Sequence, residues 1–163
     1  MLKSLEIKNY ALIKDLSIDL HKGLNIITGE TGAGKSILLG ALGLIMGKRA
    51  DLKVLFDPNT KCVVEARFDV SDVNLSDTAD DVDVSDDDEL IVRREIAPNG
   101  KSRAFVNDTP VTLDLLQDVT DQLIDLHQQF DTLALHKQAF QQQALDALAD
   151  TQSKVAEFTT LYK

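Results

Sequence analysis

The sequence predicts an α/β fold in which a glycine-rich loop joins a buried strand to a buried helix. The loop is residues 29–36, the apolar run before it is residues 24–28, and the run after it, residues 37–46, contains no charged side chain. A helix that is apolar on every side is usually buried on every side, so residues 37–46 are expected to pack against a sheet. Gly47 is placed to end that helix.

Short apolar or alternating runs predict strands on both sides of this unit. Beyond residues 24–28, the predicted strands are residues 2–9, 16–20, 61–70, 90–96, 102–106 and 122–127. The first two flank a turn at residues 10–15, which indicates an antiparallel pair. The tight-turn sequence Pro98-Asn99-Gly100 joins two others as a hairpin.

Two helical segments are predicted after the hairpin. Thr112 is placed as the N-cap of a helix over residues 113–119. From residue 133 the pattern is helical to the last residue, and residues 148, 151, 155, 158 and 162 follow a 3-4-3-4 spacing. An ordinary amphipathic helix fits this spacing as well as a coiled coil does. The predicted division is residues 1–136 as one domain and residues 137–163 as a helix leading away from it.

The loop carries the chemistry. Residues 29–36 read Gly-Glu-Thr-Gly-Ala-Gly-Lys-Ser and match the phosphate-binding pattern G-x-x-x-x-G-K-[ST] at every fixed position. In such loops, backbone N–H groups and the positive end of the next helix form an anion site. The lysine reaches the β- and γ-phosphates, and the hydroxyl ligates Mg²⁺. The predicted nucleotide-binding residues are Gly29, Glu30, Thr31, Gly32, Ala33, Gly34, Lys35, Ser36 and Ile37.

The excess negative charge of the chain is concentrated in one segment. The net charge is −10, yet residues 69–89 hold ten acidic residues and no lysine or arginine, and the rest of the chain is balanced. Overall acidity therefore does not exclude a nucleic-acid partner. Residues 71–89 lack the glycine and the spacing of a calcium loop, so they are predicted to be a mobile, solvated connection.

Other features point to a cytoplasmic chain with a core of its own. At 163 residues the chain can form one domain. No apolar run is long enough to span a membrane, and no signal peptide is visible, so no membrane partner is expected. The single cysteine, Cys62, lies in an apolar run and is expected to be a small core residue.

Several separate segments together resemble the RecN family of bacterial DNA double-strand-break repair ATPases. The segments that carry the resemblance are residues 8–13, 23–25, 28–38, 93–96, 100–107 and 123–129. They keep the family's order and cover nearly the whole chain. The phosphate loop alone is shared by many families, whereas the combination is specific.

The resemblance implies the N-terminal half of an ATP-binding-cassette head of the kind found in structural-maintenance-of-chromosomes (SMC) proteins, with a mixed sheet and the start of a coiled-coil helix. It implies ATP and Mg²⁺ as cofactors and an ATPase acting in DNA repair and recombination. The implied partners are the C-terminal half of the same head, a second head in an ATP-dependent dimer, and DNA. The implied location is the cytoplasm, in association with the nucleoid.

For the site, the resemblance implies that Gln129 senses the γ-phosphate through Mg²⁺ and the attacking water. Lys35 and Gln129 are then the catalytic residues, and Ser36 and Gln129 are the metal ligands. Gln128 and Phe130 depart from the glycine and histidine expected in relatives. The strand ending in Asp-Glu and the L-S-G-G signature of a cassette ATPase are absent from this sequence. The chain alone is therefore expected not to hydrolyse ATP.

Two other functions remain open at this point. One is the head of an SMC-type chromosome-organising or DNA-tethering protein. The other is a small kinase or GTPase, for which the second acidic strand end and the N-K-x-D base reader are missing. A basic cluster around one hairpin, suited to DNA phosphates, consists of Arg93, Arg94, Lys101 and Arg103. A solvated hairpin face, or pairing with the acidic segment, is the alternative for these four residues.

Overall fold

The structure is a computed structural model. It describes residues 1–28, 32–50, 52–71, 73, 88–126, 141, 142, 145, 146, 148, 149, 151, 154, 155 and 158. The chain divides into two compact units, Met1–Asp125 and Leu126–Lys163. The predicted acidic connection lies almost wholly outside the described residues.

The described residues of the first unit form one antiparallel sheet of six strands in the order β2-β1-β3-β4-β5-β6. The strands are β1 (Leu2–Tyr10), β2 (Ile13–Asp19), β3 (Cys62–Asp69), β4 (Glu89–Ile96), β5 (Ser102–Val106) and β6 (Thr109–Val111). The first five confirm predicted strands, including the hairpin between β4 and β5, but β2 begins at Ile13, inside the predicted turn at residues 10–15. Strand β6 was not predicted, because it has only three residues, one of them a proline.

The helices α1 (Gly32–Ile45) and α2 (Leu113–Thr120) pack on this sheet, and a short 3₁₀ turn occupies Leu52–Val54. The Thr112 hydroxyl accepts the Leu115 N–H at 3.3 Å, which confirms the predicted N-cap. Helix α1 ends at Ile45, and Gly47, two residues later, has a φ of +79°. The Lys48 N–H donates to the Gly43 carbonyl and the Gly47 N–H to the Leu44 carbonyl, which is a Schellman ending.

The core lies between one face of the sheet and the two helices. Alternate residues of β3 and β4 are buried, and α1 contacts both of these strands while α2 contacts β5. The fully buried side chains include Ile7, Ile45, Val64, Phe68, Leu90, Val92, Leu116 and Val119. A methyl group added at Gly40 would lie 2.5 Å from the Tyr10 hydroxyl oxygen, so glycine permits the close approach of α1 to β1.

Burial of α1 is uneven along its length. Its C-terminal half is buried, whereas residues 34–36 are exposed and residues 37–40 are half-buried. The expectation of a helix buried on every side is therefore correct only for the half that faces the sheet.

The predicted strand at residues 24–28 is absent from the structure. These residues form no strand, and Leu24, Ile26 and Ile27 are 87, 75 and 50% exposed. No described residue pairs with them in the sheet. An apolar run becomes a buried strand only when another strand satisfies its backbone, and the described part of the chain supplies none here.

The predicted strand at residues 122–127 is also wrong where it is described. Residues 121–123 form a turn, residues 124–126 are irregular, and His127 lies outside the described residues. The N–H groups of Leu123 and Ile124 both donate to the Thr120 carbonyl, so the chain winds out of α2. Their half-buried side chains pack against the core, which explains the apolar run.

In the second unit, Leu126 is irregular, and the described residues after it are helical except Ala149 and Thr151. The predicted uninterrupted helix is therefore broken there. The Thr151 hydroxyl lies 3.0 Å from the Asp146 carboxylate, and the Thr151 carbonyl accepts the N–H groups of Lys154 and Val155. Threonine side chains compete with the helical backbone for hydrogen bonds, and here one helical stretch ends and the next begins.

Candidate nucleotide-binding site

The second half of the predicted phosphate loop forms the beginning of α1. Gly32, Ala33, Gly34, Lys35, Ser36 and Ile37 are its first six residues. Gly29, Glu30 and Thr31, which precede it, lie outside the described residues. The sequence folds in this way because the apolar residues that follow anchor the helix in the core.

The N-terminal turn of α1 is accessible to a ligand. Lys35 and Ser36 are exposed, and a methyl group added at Gly34 would meet no atom within 4 Å. The first N–H groups of a helix have no partner within it and form its positive end. An ammonium, a hydroxyl and these amides are together the groups that bind a phosphate chain.

Mg²⁺ fits this donor set only in company with phosphate. The described residues contain no group of three or more His, Cys, Asp and Glu side chains able to hold a metal ion. Magnesium is commonly held by one or two protein oxygens together with substrate phosphates and waters. The Ser36 hydroxyl, on an exposed turn beside Lys35, suits that arrangement. Gln129, the other predicted ligand, lies outside the described residues.

The structure divides the predicted basic cluster between the two faces of the sheet. Arg94 lies on the core face, paired with Val64 and Ala104 in the strand register, and is 2% exposed. Its Nε and Nη1 atoms have no hydrogen-bond partner among the described residues. Burial lowers the pKa of the Arg94 guanidinium. Arg94 is therefore a core residue and is unavailable to a DNA phosphate, which corrects its predicted placement in the cluster.

Arg93 lies on the opposite face and is engaged by other side chains. Its guanidinium is 2.8 Å from the Asp108 carboxylate and 3.7 Å from each of Glu65 and Glu95. It also lies 4.7 Å from the centre of the Phe105 ring. With three carboxylates and an aromatic ring around it, Arg93 holds neighbouring strands together.

Lys101 and Arg103 remain together and exposed. They line a cavity of about 320 Å³ at the β4–β5 hairpin with Lys61, whose Nζ is 3.0 Å from the Glu95 carboxylate. Lys61 was absent from the sequence prediction. It immediately precedes β3, and only the strand register shows that this position lies beside the hairpin.

Cys62 is fully buried in the core and unpaired, as predicted from its apolar neighbours. Burial raises the pKa of its thiol to about 11. At neutral pH the thiol is therefore protonated and unreactive.

The sheet, the two packed helices and the phosphate-binding sequence at the start of α1 are the features of a P-loop domain. A family model described as an AAA domain matches residues 4–163, and the chain belongs to that family.

Within this class, the chain is similar to DNA repair proteins named RecN. The chain is 41% identical to the RecN protein of Vibrio cholerae over 151 residues, and 36% identical to that of Haemophilus influenzae over 153 residues. Each comparison covers 91% of this chain and 27% of the relative. The chain thus spans about a quarter of the length of these relatives, and the predicted resemblance to RecN is confirmed.

Solved structures support the predicted fold. A structure from work on ATP-driven dimerization and DNA-stimulated activation of SMC ATPases superposes with a TM-score of 0.64. The superposition covers 88% of this chain and 95% of that chain at 22% sequence identity. At this identity the likeness concerns the fold alone, and it confirms the predicted fold class. Among the described residues, no helix has both the length and the apolar character needed to cross a membrane.

Proposed function

We propose that this chain is the ATP-binding part of a RecN-like ATPase that acts in DNA double-strand-break repair and recombination. The observation that carries the proposal is the accessible first turn of α1, where exposed Lys35 and Ser36 follow the phosphate-loop glycines. The cytoplasm, in association with the nucleoid, is the location that this function requires.

The residues of the chain act by binding and positioning. Backbone amides from Gly32 to Ser36 hold the phosphates, and Lys35 adds a charge-assisted contact. Ser36 and Gln129 are the proposed ligands of Mg²⁺, which when bound neutralises charge on the β- and γ-phosphates. Gln129 also orients the attacking water. The remaining loop contacts are assigned to Gly29, Glu30, Thr31 and Ile37.

Hydrolysis requires groups that this sequence lacks. The Asp-Glu pair at residues 88–89 begins β4 rather than ending an apolar strand, and the sequence has no L-S-G-G signature, so neither a water-polarising glutamate nor a signature loop is available. We assign these groups to the C-terminal half of the same head and to a second head that binds across the nucleotide. We expect the C-terminal half to pair with residues 24–28, since these residues form no strand and have no strand partner among the described residues.

The alternative, a chromosome-organising head, has weaker support. The SMC-type fold is common to both functions and does not distinguish them. Sequence does distinguish them, since identity reaches 41% with a RecN protein but 22% with the SMC ATPase structure.

The test is ATP binding by full-length protein carrying Lys35→Ala, measured by calorimetric titration with Mg²⁺ present. We expect a loss of at least roughly tenfold in affinity, because one charge-assisted phosphate contact is removed. Lys22→Ala, at another exposed lysine, is the matched control and should bind as the wild type does. Equal affinity and equal turnover in all three proteins would contradict the proposal.

A further inference from the structure

The end of the sheet where β1 and β4 finish carries a row of cationic side chains from five different segments. Two cavities open there, one of about 700 Å³ beside the β1–β2 hairpin and one of about 320 Å³ beside the β4–β5 hairpin. Lys61 lines both, so the two cavities adjoin. We call the combined surface the basic groove, and its cationic residues are Lys8, Lys14, Lys61, Lys101 and Arg103.

The strand register explains why residues so far apart in sequence meet. Lys8 pairs with Asp15 on β2 and Val63 on β3, Val63 pairs with Glu95, and Glu95 pairs with Arg103. Directly opposed residues point to the same face of a sheet, here the face away from the core. Four strand spacings from β2 to β5 make the row roughly 19 Å long.

The cations of the groove are available to an anion. All five are exposed. Within the described part of the chain, Lys14, Lys101 and Arg103 have no ion-pair partner, and the Lys8–Glu6 pair is long at 3.6 Å between exposed side chains. Five cations face three carboxylates, Asp15, Asp57 and Glu95, in a chain that is strongly acidic overall.

Two of those carboxylates have partners within the chain. Glu95 accepts the Lys61 ammonium at 3.0 Å. The Asp57 carboxylate accepts the Asn59 N–H at 2.9 Å and the Thr60 hydroxyl at 2.9 Å. These hydrogen bonds lower the pKa of Asp57, with the Asn59 N–H as the largest cause.

The groove is held in shape by Asn9, which is 6% exposed and has a φ of +57°. Its side-chain amide donates to the carbonyls of Asp57 and Thr60 at 3.0 and 2.7 Å, and its oxygen accepts the Asp57 N–H at 2.6 Å. The loop between the 3₁₀ turn and β3 is thereby fixed to β1. The loop presents Phe56 on the groove with 49% of its surface exposed.

We infer that the basic groove binds the sugar–phosphate backbone of single-stranded nucleic acid and that Phe56 stacks on a base. Single-strand sites combine a cationic track with aromatic side chains, and both are present here on one surface. The inference rests on the proposed function, because a role in DNA repair is the reason for choosing nucleic acid over other polyanions. It also replaces the predicted cluster, because Arg93 and Arg94 are committed elsewhere while Lys101 and Arg103 remain.

The test uses full-length protein, a fluorescein-labelled oligothymidylate and no nucleotide, with binding followed by anisotropy over a salt series. Lys101→Gln with Arg103→Gln removes two phosphate contacts, so the log–log salt slope should fall by about 1.4 and affinity by roughly 20-fold near 0.1 M salt. Lys48→Gln with Arg49→Gln is the control, an exposed Lys–Arg pair outside the groove with the same charge change. An unchanged slope in the groove variant, or an equal loss in the control, would overturn the inference.

Phe56→Leu tests the stacking separately. It should weaken oligothymidylate binding by about fivefold or more and leave the salt slope unchanged, whereas Leu12→Ala at an exposed apolar position should do neither. A loss of duplex binding with single-strand binding intact would overturn the single-strand assignment.

ATP is another ligand whose phosphates could occupy the basic groove, and a separate binding measurement distinguishes it from nucleic acid. Groove variants should bind ATP–Mg²⁺ as the wild type does, and Lys35→Ala should retain oligothymidylate binding. Loss of ATP affinity in the groove variants, with the oligonucleotide still bound, would assign the groove to nucleotide and overturn the inference. If Lys35→Ala binds ATP as the wild type does while the groove variants lose oligothymidylate binding, only the proposed function is contradicted.

Discussion

Two apolar runs of this chain look alike in sequence and differ in structure. Strand β3 buries Cys62, Val64, Ala66 and Phe68 between two neighbouring strands. Residues 24–28 leave Leu24 and Ile26 largely exposed and form no strand. The comparison shows that an apolar run indicates where a strand can be buried. Whether it is buried depends on a partner strand, and for residues 24–28 the described chain holds none.

The largest expected effect comes from supplying the missing partner. The isolated 163-residue chain should show no steady ATP hydrolysis, because it can hold the ground state but lacks groups that stabilise the transition state. Adding the C-terminal half should produce turnover that rises more steeply than linearly with concentration. The assay is phosphate release, with Lys35→Ala as the control for contaminating ATPases. If the isolated chain hydrolyses ATP and Lys35→Ala abolishes this hydrolysis, the proposal that the C-terminal half supplies the missing catalytic groups is contradicted.

Hydrogen exchange measures directly whether residues 24–28 gain a strand partner. Amides of residues 24–28 should exchange rapidly in the isolated chain and become protected when the C-terminal half is added. Amides of β3 and β4 should be protected in both states. Unchanged exchange at residues 24–28 on addition would show that the C-terminal half does not pair there.

A matched pair of substitutions sharpens the comparison. Leu90→Ala, in the core, should lower the free energy of unfolding by about 2 to 5 kcal/mol, because it removes a side chain that is 0% exposed. Leu24→Ala, at 87% exposure, should change it by less than about 0.5 kcal/mol in the isolated chain. Urea unfolding at fixed pH measures both. Similar costs at the two positions would show that residues 24–28 are packed in solution.

The pH dependence of stability probes burial within β3. Burial raises the pKa of the Cys62 thiol from 9.0 to about 11. Between these values the unfolded chain loses the proton and the folded chain keeps it, so stability should fall by roughly 2 to 3 kcal/mol as pH rises from 9 to 11. Cys62→Ala should lack this part of the slope. Parallel curves for the two proteins would mean that water reaches the thiol.

The smallest effect concerns the two adjacent arginines. Arg94→Met should leave the free energy of unfolding unchanged or raise it by about 1 kcal/mol, because an apolar side chain replaces a buried charge. The Nε and Nη1 atoms of Arg94 have no hydrogen-bond acceptor among the described residues. Arg93→Met should lower it by about 1 kcal/mol, because ion pairs on the half-exposed face are lost. Thermal unfolding of both variants is the measurement. The reverse order would require an acceptor for Arg94 from outside the described residues.

Local patterns predicted most of the fold. The alternation in β1 to β4, the Pro98-Asn99-Gly100 turn, the Thr112 cap and the helix end at Gly47 were all correct. Each depends on residues close in sequence, such as the donor three positions after a cap. The strand predicted at residues 122–127 was wrong because a local pattern does not show what an apolar side chain packs against. Here Leu123 and Ile124 pack against the core as the chain leaves α2.

The sequence by itself determined the phosphate-binding pattern, the sheet-forming segments and the resemblance to RecN, since each is a matter of residue type and spacing along the chain. Only the tertiary structure decided which arginine faces the core, which cations share a groove and which apolar run lacks a partner. Adjacent strand residues point to opposite faces, so one position of register separates a buried Arg94 from an exposed-face Arg93. Pairing between distant segments sets that register and brings Lys8, Lys61 and Arg103 together.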